Sequence, residues 1–244
     1  MTSATLTPTP LLCEQKELRQ LTGDTLRPGG LALTRRALQY CALPARSTIL
    51  DVGCGYGRTM ALLAAQFALA PTGLDPSPAM LRQAACRCPG LPLLQATAAA
   101  IPVRNGFFAA LISECVLSLA GNMPACLREM GRVLAPGGKL VLTDIYARKP
   151  DLLPAARQGA IRSCFHGAVC LETLETSLRD AGFTIQLFED HTAMLRQLAG
   201  QIIFTYGSLA AFWQLFMGAE QAACTCGSLA TAKPGYYLLI AEKE

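Results

Sequence analysis

Short strand-like and helix-like segments alternate along residues 47–146, and this alternation restricts the fold more than any other feature. Residues 47–54 are aliphatic and β-branched, as in a buried strand, and residues 57–68 have the apolar spacing of a helix. Because parallel strands need helical crossovers, the pattern predicts an α/β fold: a mostly parallel sheet with helices on both faces. Further strand-like segments are 71–75, 91–96, 107–119 and 139–146, and further helix-like segments are 77–88 and 124–134.

The two ends of the chain depart from this alternation. A loose tail and two helices are predicted for residues 1–44, and one α/β domain for residues 45–244. Within that domain, residues 192–232 form an insertion, predicted to be a helical lid or a dimerisation element. Its uncharged stretch is long enough to cross a bilayer, but polar residues interrupt it, which favours a buried, lid or dimer helix.

The amino-acid composition indicates which cellular compartment and which kinds of partner to expect. The chain has 52% hydrophobic and 16% charged residues, so it can bury a full core. Its net charge is +4 and the basic residues are scattered, so no nucleic-acid partner is expected. Eleven cysteines and a polar, proline-broken start without a secretion signal argue against a disulfide framework and predict a cytoplasmic protein.

A glycine-rich turn follows the first predicted strand. ILDVGCGYG places Gly53, Gly55 and Gly57 at alternate positions after Asp51. Glycines in a strand-to-helix turn allow a tight bend and let a ligand contact main chain. The spacing differs from the G-x-G-x-x-G that holds a pyrophosphate. Asp75 ends the next strand, where a carboxylate can accept both ribose hydroxyls, so an adenosine-type ligand is predicted.

At these residues the chain resembles a known family. ILDVGCGYG, GLDPSPAML and RVLAPGGKLVL are similar to the class I S-adenosylmethionine-dependent methyltransferases over residues 45–190. The resemblance implies a Rossmann-like, seven-stranded sheet whose last strand is antiparallel, with S-adenosylmethionine across the carboxyl ends of the first strands. It implies these cofactor-binding residues: Asp51 at the methionine amine, Gly53, Cys54, Gly55 and Gly57 along the cofactor, Asp75 at the ribose, Pro76, Met80, Thr97 and Ala98 near the adenine, and Ser113 facing the methyl group.

Two positions depart from the family pattern. Thr97 stands where an acidic residue usually recognises the adenine amino group, which removes one side-chain hydrogen bond worth about 0.5–1.5 kcal/mol. The backbone N–H of Ala98 can still serve there. Ala109 replaces a usual aspartate. These departures motivate the alternative of a non-catalytic, cofactor-binding relative, whereas the intact glycine turn favours an enzyme.

The methyl acceptor is expected beyond the end of the fourth strand, beside Glu114 and Cys115. Glu114 is interpreted as a base or an orienting group, with a solvated or capping carboxylate as the alternative. SECVLSL, LTDIYARKP and SCFHGAV resemble the arsenite methyltransferase branch. That resemblance implies that Cys115 and Cys164 bind trivalent arsenic, because soft thiolates suit a soft acceptor. Cys13 and Cys41 are further candidates by position only.

Other acceptors remain open at this point. A thiol-type acceptor could also be bound through Cys115 and Cys164. An ordinary organic small molecule would make the protein a carbon- or oxygen-methyltransferase of the quinone-biosynthesis type. His166 is interpreted as a group that lowers the pKa of Cys164 or acts as a base, or as a loop histidine. No metal site is predicted, since Cys86-x-Cys88 and Cys224-x-Cys226 lack the usual zinc spacing. No membrane partner is expected, and a homodimer is an open alternative.

Overall fold

The computed structural model describes residues 9–153 and 160–244, so the tail predicted at residues 1–12 lies mostly outside the described residues. Seven strands form one sheet in the order β3-β2-β1-β4-β5-β7-β6, in which β7 runs antiparallel to both of its neighbours. The predicted Rossmann-like sheet, mostly parallel with an antiparallel last strand, is confirmed. The strands are β1 (Thr48–Val52), β2 (Ala70–Asp75), β3 (Leu93–Gln95), β4 (Phe108–Glu114), β5 (Leu134–Ala147), β6 (Phe183–Asp190) and β7 (Pro234–Lys243).

Helices cover both faces of the sheet. Local signals set several of their starts: the Ser77 hydroxyl accepts the Met80 N–H, and the Asn122 side chain accepts the Ala125 N–H. In chain order the α-helices are α1 (Lys16–Thr22), α2 (Ala32–Cys41), α3 (Arg58–Phe67), α4 (Pro78–Arg87), α5 (Met123–Val133), α6 (Leu171–Asp180), α7 (Thr192–Tyr206), α8 (Leu209–Trp213) and α9 (Ala219–Ala232). Two buried apolar clusters, one on each side of the central strands, form the main core.

The insertion at residues 192–232 folds into α7, α8 and α9, because Gly207 and Ser208 interrupt its apolar run. Within the described ranges, no helix is both long and apolar enough to cross a membrane. Ile202, Phe212 and Trp213 of the insertion pack in one cluster with Leu12 and Leu18. The insertion therefore supports the N-terminal part of the chain.

Gly235, at the start of β7, makes a close contact that predicts a large stability effect. A Cβ at this position would overlap the ring of Tyr146 and lie 2.6 Å from its hydroxyl oxygen. The ring is buried and its hydroxyl donates to Asp190, so it has little room to move. We expect Gly235→Ala to lower the free energy of unfolding by about 2 to 3 kcal/mol.

Chemical denaturation of both proteins measures this difference. Gly227→Ala is the matched control, because Gly227 lies in α9 with no atom near its missing Cβ. That change should leave stability equal or slightly higher, since alanine favours helices by up to about 1 kcal/mol over glycine. Equal midpoints for Gly235→Ala and the unchanged protein would contradict the expected overlap.

Candidate active site

A cavity of about 430 Å³ lies at the carboxyl ends of β1, β2 and β4. Its floor is the turn after β1, the end of β2 and the end of β4. Its opposite wall comes from residues 11–27, which we call the N-terminal cover. The N-terminal cover contributes Leu11, Leu12, Cys13, Glu14, Leu18, Asp24, Thr25, Leu26 and Arg27 to the lining. One cavity therefore contains most of the residues predicted for both cofactor and acceptor.

The glycine turn has the bare backbone that the sequence predicted. Gly53 and Gly55 line the cavity with φ values of +74° and +50°, which favour glycine. A Cβ on Gly53 would overlap the Cγ2 of Val116. The N–H groups of Gly53 and Cys54 both donate to the Leu74 carbonyl, which fixes the turn across the end of β2.

Asp75 is held at the edge of the cavity by two backbone donors. Its Oδ2 accepts the Gly55 N–H at 3.0 Å and its Oδ1 accepts the Ser77 N–H at 2.9 Å. Burial raises the pKa of Asp75, and these two donors oppose the rise. Each carboxylate oxygen has a second acceptor position, so Asp75 can still accept two hydroxyls from a ribose.

Asp51 is a member of the site with incomplete hydrogen bonding. Its side chain is 2% exposed, and its Oδ2 has no hydrogen-bond partner. Burial, followed by the nearby Glu114, raises the pKa of Asp51 to about 8, and Arg27 opposes that rise. Buried carboxyl oxygens are rarely left unpaired in native proteins. A cationic donor such as an amino-acid ammonium would satisfy this one.

The remaining predicted cofactor residues divide into two groups. Gly57 and Ser113 do not line the cavity. Gly57 instead precedes α3, where its missing Cβ lets Ala84 of α4 and Cys88, the residue after α4, pack closely. Ser113 is buried opposite Val52 in the sheet, and its hydroxyl has no partner. The predicted residues that do line the cavity are Cys54, Pro76, Met80, Thr97 and Ala98, besides those described above.

Glu114 forms a buried ion pair. It is 9% exposed, and its Oε2 lies 2.7 Å from Nη2 of Arg27. The hydroxyls of Thr34 and Thr59 also donate to its two oxygens, at 2.8 and 2.9 Å. The carboxylate is thus neither solvated nor a helix cap. Because both oxygens are occupied, the arrangement favours a holding role for Glu114 over that of a free base.

Cys115 and Cys164 come together in the same cavity. Their sulfurs and a carboxylate oxygen of Asp144 all lie within 4.8 Å of one another. Cys115 follows β4 with a left-handed φ of +57°, a strained conformation for a residue with a side chain. Cys164 is brought near because Gly167 packs against the Ser118 carbonyl, where a Cβ would overlap it. Asp144 accepts from the N–H and hydroxyl of Ser118, and burial raises its pKa to about 6.

Cys13 is the third thiol in this region. A backbone pairing of Leu11 with Arg162 brings the N-terminal cover alongside Cys164. Burial raises the pKa of Cys13 to about 12, and a hydrogen bond with Cys115 together with burial raises the pKa of Cys164. The expectation that His166 lowers the pKa of Cys164 is therefore wrong. Cys41 does not line the cavity and packs beside a different core cluster.

Three residues of the site were absent from the sequence predictions: Arg27, Thr59 and Asp144. No local pattern marks Arg27, which follows a run of turn residues. Asp144 lies in LTDIYARKP, and its position one strand away from Cys115 is the signal that could have found it. The contacts of all three are long-range, since Arg27 to Glu114 alone spans 87 residues.

Comparisons with known proteins agree with this geometry. Residues 50–142 match the family described as "Methyltransferase domain". The uncharacterized methyltransferase YodH of Bacillus subtilis is 34% identical over 148 residues, which are 59% of this chain and 61% of YodH. An arsenite methyltransferase of Aquipseudomonas alcaligenes is 34% identical over 88 residues, 35% of this chain and 25% of that protein. The crystal structure of the [4+2]-cyclase SpnF has a TM-score of 0.67 and 27% identity, covering 86% of this chain and 80% of SpnF.

Over residues 50–142 the chain is a methyltransferase domain, which confirms the predicted resemblance to the class I S-adenosylmethionine-dependent methyltransferase superfamily. S-adenosylmethionine is its cofactor. The cavity fits that group, since it offers a bare glycine turn, a ribose-accepting carboxylate and an unpaired buried carboxyl oxygen. The chain spans less than two thirds of the curated relatives described here, and its similarity to the arsenite enzyme is local.

Proposed function

We propose that this protein is a methyltransferase that acts on a small thiophilic acceptor, with trivalent arsenic bound by Cys115 and Cys164. The observation that carries the proposal is the meeting of the two sulfurs within 4.8 Å, in the same cavity as the glycine turn and Asp75. Two thiolates that bind one soft centre at about 2.3 Å each lie at most about 4.6 Å apart. The observed spacing is therefore close to what a shared acceptor needs.

The cofactor supplies an electrophilic methyl group on its sulfonium. The chain's own residues then have two tasks, to hold the adenosyl part and to place the acceptor. Asp75 and the glycine turn serve the first task in this proposal. Cys115 and Cys164 serve the second, and the N-terminal cover excludes water from both.

The thiols of Cys164 and Cys13 suit an acceptor such as arsenous acid, whose own hydroxide groups can take up the thiol protons. The pKa of Cys164 and that of Cys13 are raised, so both thiols are neutral near pH 7. Arsenous acid reacts with a neutral thiol by forming an As–S bond while the thiol proton leaves with a hydroxide as water. No thiolate has to be formed beforehand, so a buried thiol pair in a low-dielectric site is an advantage here.

Neighbouring groups hold the Cys115 sulfur in place. Its Sγ lies 3.6 Å from the Tyr236 hydroxyl, which also donates to Thr143 at 3.2 Å. The Cys115 N–H donates to the Thr143 carbonyl at 2.7 Å. These contacts fix both backbone and sulfur, which supports an acceptor-positioning role for Cys115. Cys13, on the N-terminal cover, is a third thiol available to the same acceptor.

Organic acceptors are the competing proposal. The fold alone does not choose the reaction, since the similar SpnF structure is that of a protein named as a cyclase. Near the thiols the cavity is lined by the apolar residues Val116, Leu119 and Ala120 and by the polar residues Arg162 and Ser163. The thiol grouping is the chemically specific feature of this region, and it favours the thiophilic acceptor.

Turnover with defined acceptors tests the proposal. We expect S-adenosylhomocysteine to form when the protein is given S-adenosylmethionine and trivalent arsenic with a monothiol, and methylated arsenic to appear in equal amount. Small amines, phenols and carboxylic acids serve as comparison acceptors. Turnover with one of these and none with arsenic would replace the arsenic proposal. Cofactor binding without turnover on any acceptor would favour the non-catalytic relative.

A further inference from the structure

Asp144 is a buried acidic residue whose partners are all neutral. It is 2% exposed, and its carboxylate accepts hydrogen bonds from the Ser118 hydroxyl, the Ser118 N–H and the Ile145 N–H. No lysine, arginine or histidine in the described part of the chain forms an ion pair with it. Buried charges in proteins are generally paired with an opposite charge or bound to a metal ion. The surroundings of Asp144 therefore suit a bound cation.

Two thiols lie next to this carboxylate. The sulfurs of Cys115 and Cys164 and an oxygen of Asp144 all lie within 4.8 Å of one another, and no other three metal-ligating side chains in the described ranges are so close. Both cysteines line the cavity, which gives an ion a path to the group. Ligands at about 2.0–2.3 Å from one zinc ion are about 3.7 Å apart in a tetrahedral site, so movements of about 1 Å or less complete the coordination.

Hydrogen bonds already hold two of these ligands in place. The Cys115 N–H donates to the Thr143 carbonyl at 2.7 Å, and its sulfur lies 3.6 Å from the Tyr236 hydroxyl. Ser118 donates to both oxygens of Asp144, through its hydroxyl and its N–H. Outer hydrogen bonds of this kind orient the ligands of metal sites and raise the affinity for the ion.

The chemistry of the ligands indicates the kind of ion. Thiolates are soft ligands that bind zinc and similar ions, whereas magnesium and calcium prefer oxygen ligands alone. Two sulfurs and one carboxylate oxygen are three of the four ligands that a tetrahedral zinc ion takes, and water can supply the fourth. The group is therefore matched to a soft divalent cation.

We propose that Cys115, Cys164 and Asp144 form a binding site for one zinc or cadmium ion, and that this ion inhibits the protein by occupying the acceptor thiols. Each thiol releases its proton to solvent when the ion binds. The ion uses the same two sulfurs that the proposed function assigns to trivalent arsenic, so the two exclude each other. Only this inhibition rests on the proposed function, because the metal site itself requires no methyl transfer.

Metal titration of the reduced protein tests the site without cofactor or turnover. Cadmium reports thiolate ligation by its charge-transfer absorption, and competition with a chromophoric chelator gives the zinc affinity. We expect one tight ion per chain. Zinc affinity should fall by more than about 100-fold in Cys164→Ser, which removes a direct ligand, and by about 10- to 100-fold in Ser118→Ala, which removes an outer hydrogen bond to Asp144. Asp144→Asn should lower it by more than about tenfold and keep the cadmium–thiolate absorption.

The control is Cys224→Ser, since Cys224 is exposed and does not line the cavity. It should retain the tight ion, and magnesium should not displace zinc from the unchanged protein. Equal zinc affinity in Cys164→Ser and the unchanged protein would overturn the site. Unchanged affinity in both Asp144→Asn and Ser118→Ala would overturn the role of the carboxylate. Circular dichroism shows which variants are folded, and Ser118→Ala keeps all three ligands if Asp144→Asn folds poorly.

Inhibition is measured separately, at a fixed monothiol concentration. Zinc should raise the KM for trivalent arsenic and leave kcat unchanged, because the two compete for the same sulfurs. Arsenic turnover that bound zinc does not reduce would overturn the inhibition. A protein that binds zinc at this site and never methylates arsenic would contradict the proposed function and leave the metal site in place.

Discussion

Replacement of Cys164 by serine is expected to reduce the rate of methyl transfer to trivalent arsenic by more than about 100-fold. The affinity of the protein for S-adenosylhomocysteine should not change. A serine oxygen is a hard donor and binds soft arsenic poorly. Loss of even an outer-shell partner in a metal site costs 10- to 100-fold, so loss of a direct ligand should cost more. Cofactor binding should remain because Cys164 is not one of the residues assigned to the cofactor. Cys115→Ser should behave alike.

The control is Cys41→Ser, since Cys41 is partly buried in α2 and does not line the cavity. Initial rates of methylated-arsenic formation and a parallel calorimetric titration provide the two measurements. Cys13→Ser tests the third thiol and should weaken arsenic binding less than the other two if two sulfurs suffice. Wild-type rates in both Cys164→Ser and Cys115→Ser would remove arsenic as the acceptor.

Replacement of Asp51 by asparagine is expected to lower the affinity for S-adenosylhomocysteine by about 30-fold or more. Truncating one partner of a buried, charged hydrogen bond costs about 2 kcal/mol or more. Asparagine keeps the size of the side chain but cannot carry the charge that an ammonium requires. Ser113→Ala is a suitable control, because Ser113 is equally buried, lies on the neighbouring strand and does not line the cavity.

Asp51 also predicts how the affinity for S-adenosylhomocysteine changes with pH. The pKa of Asp51 is raised to about 8 by burial and Glu114, with Asp75 adding to the rise and Arg27 opposing it. An ammonium favours the ionised carboxylate, so binding should release a proton below pH 8. Affinity should then increase from pH 6 to about 8, by at most tenfold per unit, and the increase should be absent in Asp51→Asn.

Stability of the ligand-free protein should show the opposite trend. Between pH 4 and 8 the folded state holds a proton on Asp51 that the unfolded chain has released. The stabilising contribution of this group is therefore complete below about pH 4 and is lost as the pH rises towards 8. The ligand experiment has its own contrary outcome. If the affinity for S-adenosylhomocysteine falls as the pH rises from 6 to about 8, the predicted protonation of Asp51 is contradicted.

Local sequence was enough to predict the sheet and the floor of the cavity. Strand periodicity, turn residues and the alternation of elements are short-range signals, and the antiparallel β7 followed from the resemblance. The roles of Asp51, Gly53 and Asp75 could be predicted, because the turn after β1 and the end of β2 are always neighbours in such a sheet. Gly57 was assigned to the cofactor because the motif does not distinguish contact with a ligand from contact with α4.

The wall opposite the sheet could not be predicted in this way. Nothing in LLCEQKEL indicates that Leu11 pairs with Arg162, so Cys13 and Cys41 were equivalent candidates. Glu114 was interpreted from its place at a strand end, but its partner Arg27 is 87 residues away in the chain. The 192–232 insertion was expected to be a lid or a dimerisation element, and none of its residues lines the cavity. Each of these outcomes depends on tertiary packing.

The N-terminal cover crosses the cavity as a single stretch of backbone. Cys13 is near the acceptor thiols, Arg27 contacts Glu114, and only thirteen residues separate them. If this segment moves away to admit one reactant, the contacts for the other are lost in the same motion. In that case the order in which the two reactants bind is set by one segment of the chain rather than by two independent sites.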